Sequence, residues 1–312
     1  MNTRIIAHLL LFALPLGCAE AQTTPSKPVW NATVRTVDES GRPVSGAMAA
    51  MSWNVNLSNN SVTSKKVEGL TDNDGVFNAT QEANGSIDLG FVASKTGYYP
   101  AKTGYALAQL NNNNPEKWNP SVTLMLKKIG TPIPMYVRHV EAGPPVFNKP
   151  VGYDLMAGDW ISPYGKGQFK DIVFTGKLDE KTKNDFDYRL LVTFPNEGDG
   201  IQEFTLSDLE RTSGFRSPYE APVEGYQPEV TKTMSRHPGQ ETKTEMNNPD
   251  HNYFFRVRTV LDERGKVKSA LYGKIYGDFM QFTYYLNPTP NDRNVEFDPA
   301  RNLLGGQNVP LP

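Results

Sequence analysis

Hydrophobic and polar residues alternate along much of the chain in short stretches that are separated by turns. Residues 87–93 alternate apolar and polar positions, and residues 29–37 and 122–126 are rich in β-branched side chains. Such patterns are typical of strands that bury one face. Clusters of Gly, Asn, Asp and Pro interrupt these stretches about every 8–12 residues, a spacing typical of β-sandwiches. The pattern therefore predicts an all-β protein.

Turns and composition divide the chain into two predicted domains, in agreement with its length of 312 residues. Residues 29–128 form the first, and residues 151–312 form a larger antiparallel β-domain whose C-terminal tail wraps the sheet. Residues 129–150, rich in Pro and Gly, are expected to join the two as an extended, semi-rigid connector. The polar residues 212–250 lack periodicity and are either a long functional loop or extended edge segments.

Residues 29–128 carry three motifs that together resemble one known family. The motifs are Val37-Asp38 followed by Gly41-Arg42-Pro43-Val44 and Gly46-Ala47, then Thr71-Asp72-Asn73-Asp74-Gly75-Val76-Phe77, then Lys95-Thr96-Gly97-Tyr98-Tyr99. This succession resembles the carboxypeptidase regulatory-like domain, over roughly a third of the chain. The resemblance implies a prealbumin-like (transthyretin-like) β-sandwich that acts as a non-catalytic accessory module, and it implies little more about function.

Two turns of this first domain are predicted in detail. Gly41-Arg42-Pro43-Val44 is expected to turn the first hairpin, and Asp74-Gly75 is expected to be a primed hairpin turn in which glycine supplies a positive φ. The cluster at residues 72–75 also resembles part of a calcium loop. Leu70 and Gln81 occupy the places of two further oxygen ligands, so a turn is favoured.

The first 21 residues have the pattern of a signal peptide. Arg4 supplies a positive charge, residues 5–16 are mostly apolar, and Ala19-Glu20-Ala21 places small residues at the two positions that a signal peptidase reads. Cleavage is then expected before Gln22. The protein is therefore predicted to be exported, to the periplasm, the cell surface or the medium.

Cys18, the single cysteine, allows a second route of export. Residues 14–18 partly resemble a bacterial lipobox, in which the cysteine is lipidated and becomes the new N-terminus. Gly17 fits that pattern and Pro15 departs from it. Simple cleavage and a lipid anchor at Cys18 both stay open, and in each case residues 22–28 form a polar tether. No cysteine follows, so the mature domains contain no disulfide.

Composition and charge argue against several classes of protein. Hydrophobic residues make up 38% and charged residues 21%, as in ordinary globular proteins. The net charge of −2 comes without a concentrated basic face, so no nucleic-acid partner is expected. No apolar stretch after the signal approaches about 18 residues, so no transmembrane span is expected in the mature protein. No motif implies a cofactor.

Catalytic motifs are not recognisable in the mature sequence. The histidines His139, His237 and His251 lie in no HExxH or HxxE arrangement, so a zinc peptidase site is not predicted. No G-x-S-x-G nucleophile elbow is present. A carboxylate pair for glycoside hydrolysis needs no sequence proximity, so a secreted hydrolase stays an alternative. Its candidate residues are the acidic residues closest to aromatic ones, Asp154, Asp159, Glu203 and Asp278.

Aromatic residues in the second domain suggest a ligand site. Tyr153, Trp160 and Tyr164 lie in Gly-rich sequence, with Asp159 available to orient a hydroxyl group. Exposed rings beside polar groups hold sugars in many β-sandwich modules. The alternative is that the aromatics fill the core, above all those of the C-terminal hairpin. The sequence thus favours an exported, non-enzymatic accessory protein that binds a glycan or a partner protein, and a purely structural envelope protein is a further alternative.

Overall fold

The protein is an all-β molecule, as the alternation of residues predicts. A computed structural model describes residues 29–56, 62–82, 88–106, 119–141, 143–246 and 251–305. These residues form nineteen strands and one three-residue 3-10 helix, Glu210–Thr212. No helix in the described ranges is long and apolar enough to cross a membrane. The predicted signal peptide, Cys18 and the tether lie outside the described residues.

The first seven strands form a β-sandwich. They are β1 (Val29–Val37), β2 (Met48–Asn56), β3 (Val62–Leu70), β4 (Val76–Glu82), β5 (Asp88–Ser94), β6 (Ala101–Ala106) and β7 (Ser121–Met125). One sheet has the order β4-β1-β7, with β1 antiparallel to β4 and parallel to β7. The other is antiparallel, in the order β3-β2-β5-β6.

Alternate residues of these strands point into one core between the two sheets. Val34 of β1, Met51 of β2, Phe91 of β5 and Leu124 of β7 are all 0% exposed and belong to a single apolar cluster. Burying such side chains is the main stabilising contribution in a domain that has no disulfide. The predicted β-sandwich is present; its assignment to the carboxypeptidase regulatory-like family stays a prediction.

The turn at Asp72 differs in type from the predicted one. It joins β3 and β4, which belong to different sheets, so it is not a hairpin turn. The Gly75 N–H donates to the Asp72 carbonyl (3.1 Å), and Gly75 has φ +72° while Asn73 and Asp74 have no positive φ. This is the pattern of a type I turn followed by a left-handed glycine, since a primed turn needs positive φ at its central residues.

Three turns of the chain share this arrangement. In Asp38–Gly41, Asp72–Gly75 and Asp262–Gly265 the aspartate Oδ1 accepts two backbone N–H groups and the glycine has a positive φ. Only the third turn closes a regular hairpin, between antiparallel strands. The turn expected at Gly41-Arg42-Pro43-Val44 is present, with one antiparallel bridge between Val37 and Pro43, but it closes no regular hairpin because β1 and β2 lie in different sheets.

Gly75→Val is expected to destabilise the protein more than Gly41→Val does. The two glycines have nearly equal φ, +72° and +76°, and positive φ costs a β-branched residue about 1–3 kcal/mol. A Cβ at position 75 would lie 2.5 Å from the Thr36 carbonyl oxygen, whereas nothing lies within 4 Å of one at position 41. Thermal unfolding of both variants measures the difference, and equal midpoints would contradict this packing.

Twelve strands form a second sandwich. They are β8 (Ile133–Val140), β9 (Pro150–Asp154), β10 (Asp159–Trp160), β11 (Ile172–Thr182), β12 (Asp185–Thr193), β13 (Gly200–Phe204), β14 (Glu229–Arg236), β15 (Lys243–Thr244), β16 (Asn252–Leu261), β17 (Val267–Gly277), β18 (Phe282–Leu286) and β19 (Phe297–Asn302). The sheets have the orders β10-β9-β11-β12-β14-β15 and β13-β16-β17-β18-β8-β19. A core rich in aromatic residues lies between them.

Strand β8 corrects the predicted connector. It lies inside residues 129–150, yet it pairs with β18 on one side and with β19 on the other. Met135 and Val137 are buried against Phe297 and the neighbouring rings. Eight residues of the Pro-rich stretch are therefore a strand of the second sandwich. The C-terminal tail supplies β19 at the edge of the same sheet.

Residues 205–228, between β13 and β14, pack against the first sandwich; we call this segment the brace. The Gly214 N–H donates to the Pro100 carbonyl oxygen (2.7 Å). The Phe215 ring stacks on Tyr99, with centroids 5.1 Å apart. The predicted loop 212–250 is thus partly this brace and partly the extended strands β14 and β15.

Two buried lysines form hydrogen bonds with Ser217 of the brace. Lys274 of β17 is 0% exposed; its Nζ donates to Ser217 Oγ (3.0 Å) and lies 4.3 Å from the Phe215 ring centroid. Lys127, which follows β7, donates from Nζ to the Ser217 carbonyl oxygen (3.0 Å). Burial lowers the pKa of both amines, that of Lys274 strongly. Phe215 therefore stands between Tyr99 of the first sandwich and Lys274 of the second.

Candidate binding loop between residues 154 and 171

A compact loop connects β9 to β11 at one margin of the second sandwich. The chain leaves β9 at Asp154, turns at Gly158 (φ +64°) and forms the two-residue β10 beside β9. It then returns to β11 at Ile172. We call residues 154–171 the aromatic loop, because it carries Trp160, Tyr164 and Phe169.

Asp154 ties the two ends of this loop together. Its Oδ1 accepts the N–H groups of Met156 (3.0 Å) and Ala157 (3.1 Å), and its Oδ2 accepts those of Gln168 (3.0 Å) and Phe169 (3.1 Å). Burial alone would raise the pKa of Asp154, but these backbone donors and a nearby arginine hold it below its ordinary value. The charged carboxylate is thus an internal support of the loop.

Asp159 shapes the middle of the loop. Its Oδ1 accepts the Trp160 N–H (2.8 Å) and its Oδ2 accepts the Lys166 N–H (2.9 Å). A carboxylate has about four acceptor positions, so two remain for a ligand hydroxyl. The predicted role of Asp159 in orienting such a hydroxyl is therefore compatible with its structural one.

Arg258 anchors the loop to the opposite sheet. Its guanidinium donates to both oxygens of Asp171 (2.8 and 2.9 Å) and to Asp154 Oδ1 (3.0 Å). Both carboxylates are nearly fully buried, and Arg258 itself has φ +55°, a strained value for a non-glycine residue. The Asp199 carboxylate accepts the Arg258 N–H (3.0 Å) and holds this part of β16 in place. No motif in the sequence indicates this arginine.

Tyr153 is not part of the predicted surface. It is 2% exposed, and its ring packs edge-on against Trp160 (5.0 Å) and Tyr284 (6.0 Å). The reason is its place in β9, where Tyr153 and Val151 point to the same, buried face. Burial raises the pKa of Tyr153 to about 12. Tyr153 therefore belongs to the core and packs beneath Trp160 of the aromatic loop.

The exposed rings of the loop are those of Tyr164 and Phe169. Tyr164 is 41% exposed and Phe169 59% exposed. Trp160 is half-buried, with one edge against Phe174 (5.2 Å). The Arg258 guanidinium lies 4.7 Å from the Phe169 ring centroid. Sequence reasoning missed Phe169, although it stands between two polar residues in the same Gly-rich stretch.

Aromatic residues of the C-terminal hairpin fill the core. All six are buried, as the core-filling alternative expects, namely Tyr272, Tyr276, Phe279, Phe282, Tyr284 and Tyr285. Phe282 and Phe279 pack against Phe174 of the opposite sheet. Of the aromatic groups considered for a ligand site, those of the aromatic loop are therefore the ones that the structure leaves exposed.

Each of the four acidic residues considered for a hydrolase has a partner within the protein, either a backbone N–H group or a histidine. Asp154 and Asp159 accept backbone N–H groups within the aromatic loop. Glu203 lies 4.0 Å from His251, and the buried Asp278 accepts the Met280 N–H. A general acid needs a raised pKa, whereas that of Asp154 is lowered. The described residues contain no group of three or more His, Cys, Asp or Glu able to hold a metal ion.

No protein-family model and no curated protein matches the sequence. Among solved structures, the 3-chlorocatechol 1,2-dioxygenase of Rhodococcus opacus 1CP is 15% identical over 33% of this chain and 61% of its own, with a TM-score of 0.26. This chain thus spans about six tenths of that enzyme. The dioxygenase domain of a dioxygenase–carbohydrate-binding fusion from Streptomyces sp. SirexAA-E is 12% identical over 34% of this chain and 85% of its own, with a TM-score of 0.26.

A longer alignment is found with a shaft pilin. A mutant form of the shaft pilin SpaA from Lactobacillus rhamnosus GG is 12% identical over 87% of this chain and 95% of its own, with a TM-score of 0.25. At such identities and TM-scores, none of these likenesses assigns a function to this chain. The function is therefore argued from the aromatic loop itself.

Proposed function

We propose that this chain is an exported, non-enzymatic accessory protein that binds an extracellular glycan through the aromatic loop. One observation carries the proposal: Tyr164 and Phe169 are exposed on a loop whose backbone is held by buried charged groups. A loop fixed in this way loses little conformational entropy when a ligand binds. Flat aromatic faces beside carboxylate oxygens suit the apolar faces and hydroxyl groups of sugars.

The non-enzymatic part of the proposal rests on how the acidic residues of the loop are used. Asp154 and Asp171 are engaged with Arg258 and with backbone donors, and neither carboxylate is open to a substrate. Of the carboxylates of the loop, Asp154 and Asp171 are buried, whereas Asp159 is partly exposed and accepts the N–H groups of Trp160 and Lys166. One such group can orient a hydroxyl, but glycoside hydrolysis requires two carboxyl groups with different pKa values.

The export part of the proposal rests on residues 1–21. We expect mass spectrometry of the protein from its native cell envelope or medium to find Gln22 at the mature N-terminus. An acylated Cys18 at the N-terminus would instead establish the lipid-anchored route. An intact Met1 would contradict export.

Tyr164→Ala is expected to weaken glycan binding by about 1–3 kcal/mol, the usual loss for a central aromatic contact. Tyr164 contributes little to the core, so the melting temperature should stay close to that of the wild type. Trp160→Ala should weaken binding too, with an additional loss of stability because Trp160 packs on Tyr153 and Phe174. An oligosaccharide array followed by titration calorimetry measures both effects.

Phe147→Ala is the matched control for these variants. Phe147 is an aromatic residue of similar exposure (43%) that packs on Tyr188, outside the aromatic loop. Its removal should leave glycan affinity unchanged. An array without signal for the wild-type protein would contradict the glycan proposal and favour a protein partner or a purely structural role.

A further inference from the structure

A groove of about 650 Å³ lies where the first sandwich meets the brace. Its lining includes Val92 of β5, Pro100 and Gly214 of the brace. The groove lies in the first sandwich and the brace, on residues that the aromatic loop does not include. A ligand bound in this groove would therefore be separate from one bound at the aromatic loop.

The edge of β6 borders this groove. β6 is the last strand of the order β3-β2-β5-β6, and in the described part of the chain the brace pairs with it at Ala101. Ala101 forms an isolated bridge with Ser213, and the Gly214 N–H donates to the Pro100 carbonyl oxygen. Beyond Ala101, no strand among the described residues pairs with this side of β6. Such an edge is a template for one more strand.

Exposed apolar side chains continue the groove across the outer face of the sheet. Met48, Leu70 and Val92 are 42%, 62% and 47% exposed. The strand register places Met48 opposite Leu70, and Val92 opposite Ala50 two residues further along β2. Met48 and Leu70 are thus neighbours on this face, and Val92 lies diagonally from Met48 across β2 and β5.

The charge of the groove indicates which kind of ligand would fit it. Three basic residues line it, Lys102, Arg211 and Arg216, and no acidic residue is among the lining residues that the structure describes. Lys102 stands on the exposed face of β6, directly opposite Val92. Charge complementarity therefore favours a ligand with negative charges next to apolar groups.

We propose that β6 and this groove bind an extended segment of a partner protein that alternates acidic and apolar side chains. The segment adds to the edge of β6 as a further strand, continuing the position that Ser213 occupies beside Ala101. Because side chains alternate between the two faces of a strand, its acidic side chains then lie on the outer face beside Lys102, and its apolar side chains point to the other face, toward Ala101 and the groove floor.

The test uses the full mature chain and a fluorescein-labelled octapeptide of alternating Asp and Val, followed by fluorescence anisotropy. We expect saturable binding that weakens with added salt, and Lys102→Glu should raise the Kd about tenfold. Lys177→Glu, an exposed charge reversal on β11 of the other sandwich, should leave the Kd unchanged. An alternating Lys-Val octapeptide should not bind.

A peptide N-methylated at alternate residues tests the mode of binding, because it cannot form strand hydrogen bonds along one edge. It should not bind if the segment adds to β6. Equal affinity of the methylated peptide, an unchanged Kd for Lys102→Glu, or no binding up to about 1 mM would each overturn the proposal. A dimer in sedimentation that Lys102→Glu dissociates would assign the surface to a second copy of the chain, and would overturn it too.

Discussion

Replacing Arg258 with methionine is expected to lower the free energy of unfolding by about 3–5 kcal/mol, the usual loss when one partner of a buried ion pair is removed. Asp171 is 3% exposed and receives two hydrogen bonds from the guanidinium, so the variant leaves a buried carboxylate without its counter-charge. Chemical denaturation of wild type and variant measures the loss.

Two further variants separate this effect from a general loss of packing. Arg189→Met removes an exposed arginine of β12, whose guanidinium donates to Thr231 Oγ1 (3.5 Å), and should cost less than about 0.5 kcal/mol. Arg258→Met combined with Asp171→Asn should be more stable than Arg258→Met alone, because the unpaired charge is gone. If Arg258→Met and Arg189→Met have equal stability, the ion pair does not hold the loop.

Phe215→Ala is the second variant with a large expected effect. Phe215 is 0% exposed and packs on Tyr99 of the first sandwich and under Lys274 of the second. Removing a buried phenylalanine ring typically costs about 3–5 kcal/mol. Because this ring joins the two sandwiches, the variant should also uncouple their unfolding. Calorimetry should show one transition for the wild type and two for Phe215→Ala.

Phe169→Ala is the control for this result. Phe169 is 59% exposed, so its removal should cost far less and leave a single transition. A single transition for Phe215→Ala, at the wild-type temperature, would contradict the role of the brace. Two transitions in the wild type itself would show that the sandwiches unfold independently despite the contact.

Local pattern was sufficient to predict the all-β class and the positions of several strands and turns, but not the type of those turns. Residues 87–93 alternate as a strand with one buried face should, and Phe91 is indeed in the core. The three Asp-x-x-Gly turns are also visible in the sequence, but their common form depends on backbone hydrogen bonds to the aspartate. The prolines at positions 132 and 134 are typical of a linker and argue against a strand. They fit the start of β8 because its pairing with β19 is irregular there.

The contacts that hold the aromatic loop join residues far apart in the sequence, so a local pattern cannot reveal them. Arg258 reaches Asp171 across 87 positions in the sequence, and a single basic residue in a strand is ordinarily a solvated one. The Gly-rich sequence around Tyr153 predicts a surface position, whereas its two-residue spacing from Val151 in β9 places it in the core. The fold could be predicted from periodicity, but the loop could be understood only from long-range pairing.

Nuclear magnetic resonance mapping tests the proposed binding loop most directly. The ¹⁵N-labelled mature protein would be titrated with the oligosaccharide that gives the strongest array signal, and amide shifts would be followed. We predict shifts concentrated at residues 159–169, and their loss in Tyr164→Ala. Shifts confined to other parts of the chain, or an unchanged pattern in Tyr164→Ala, would contradict the assignment of binding to the aromatic loop.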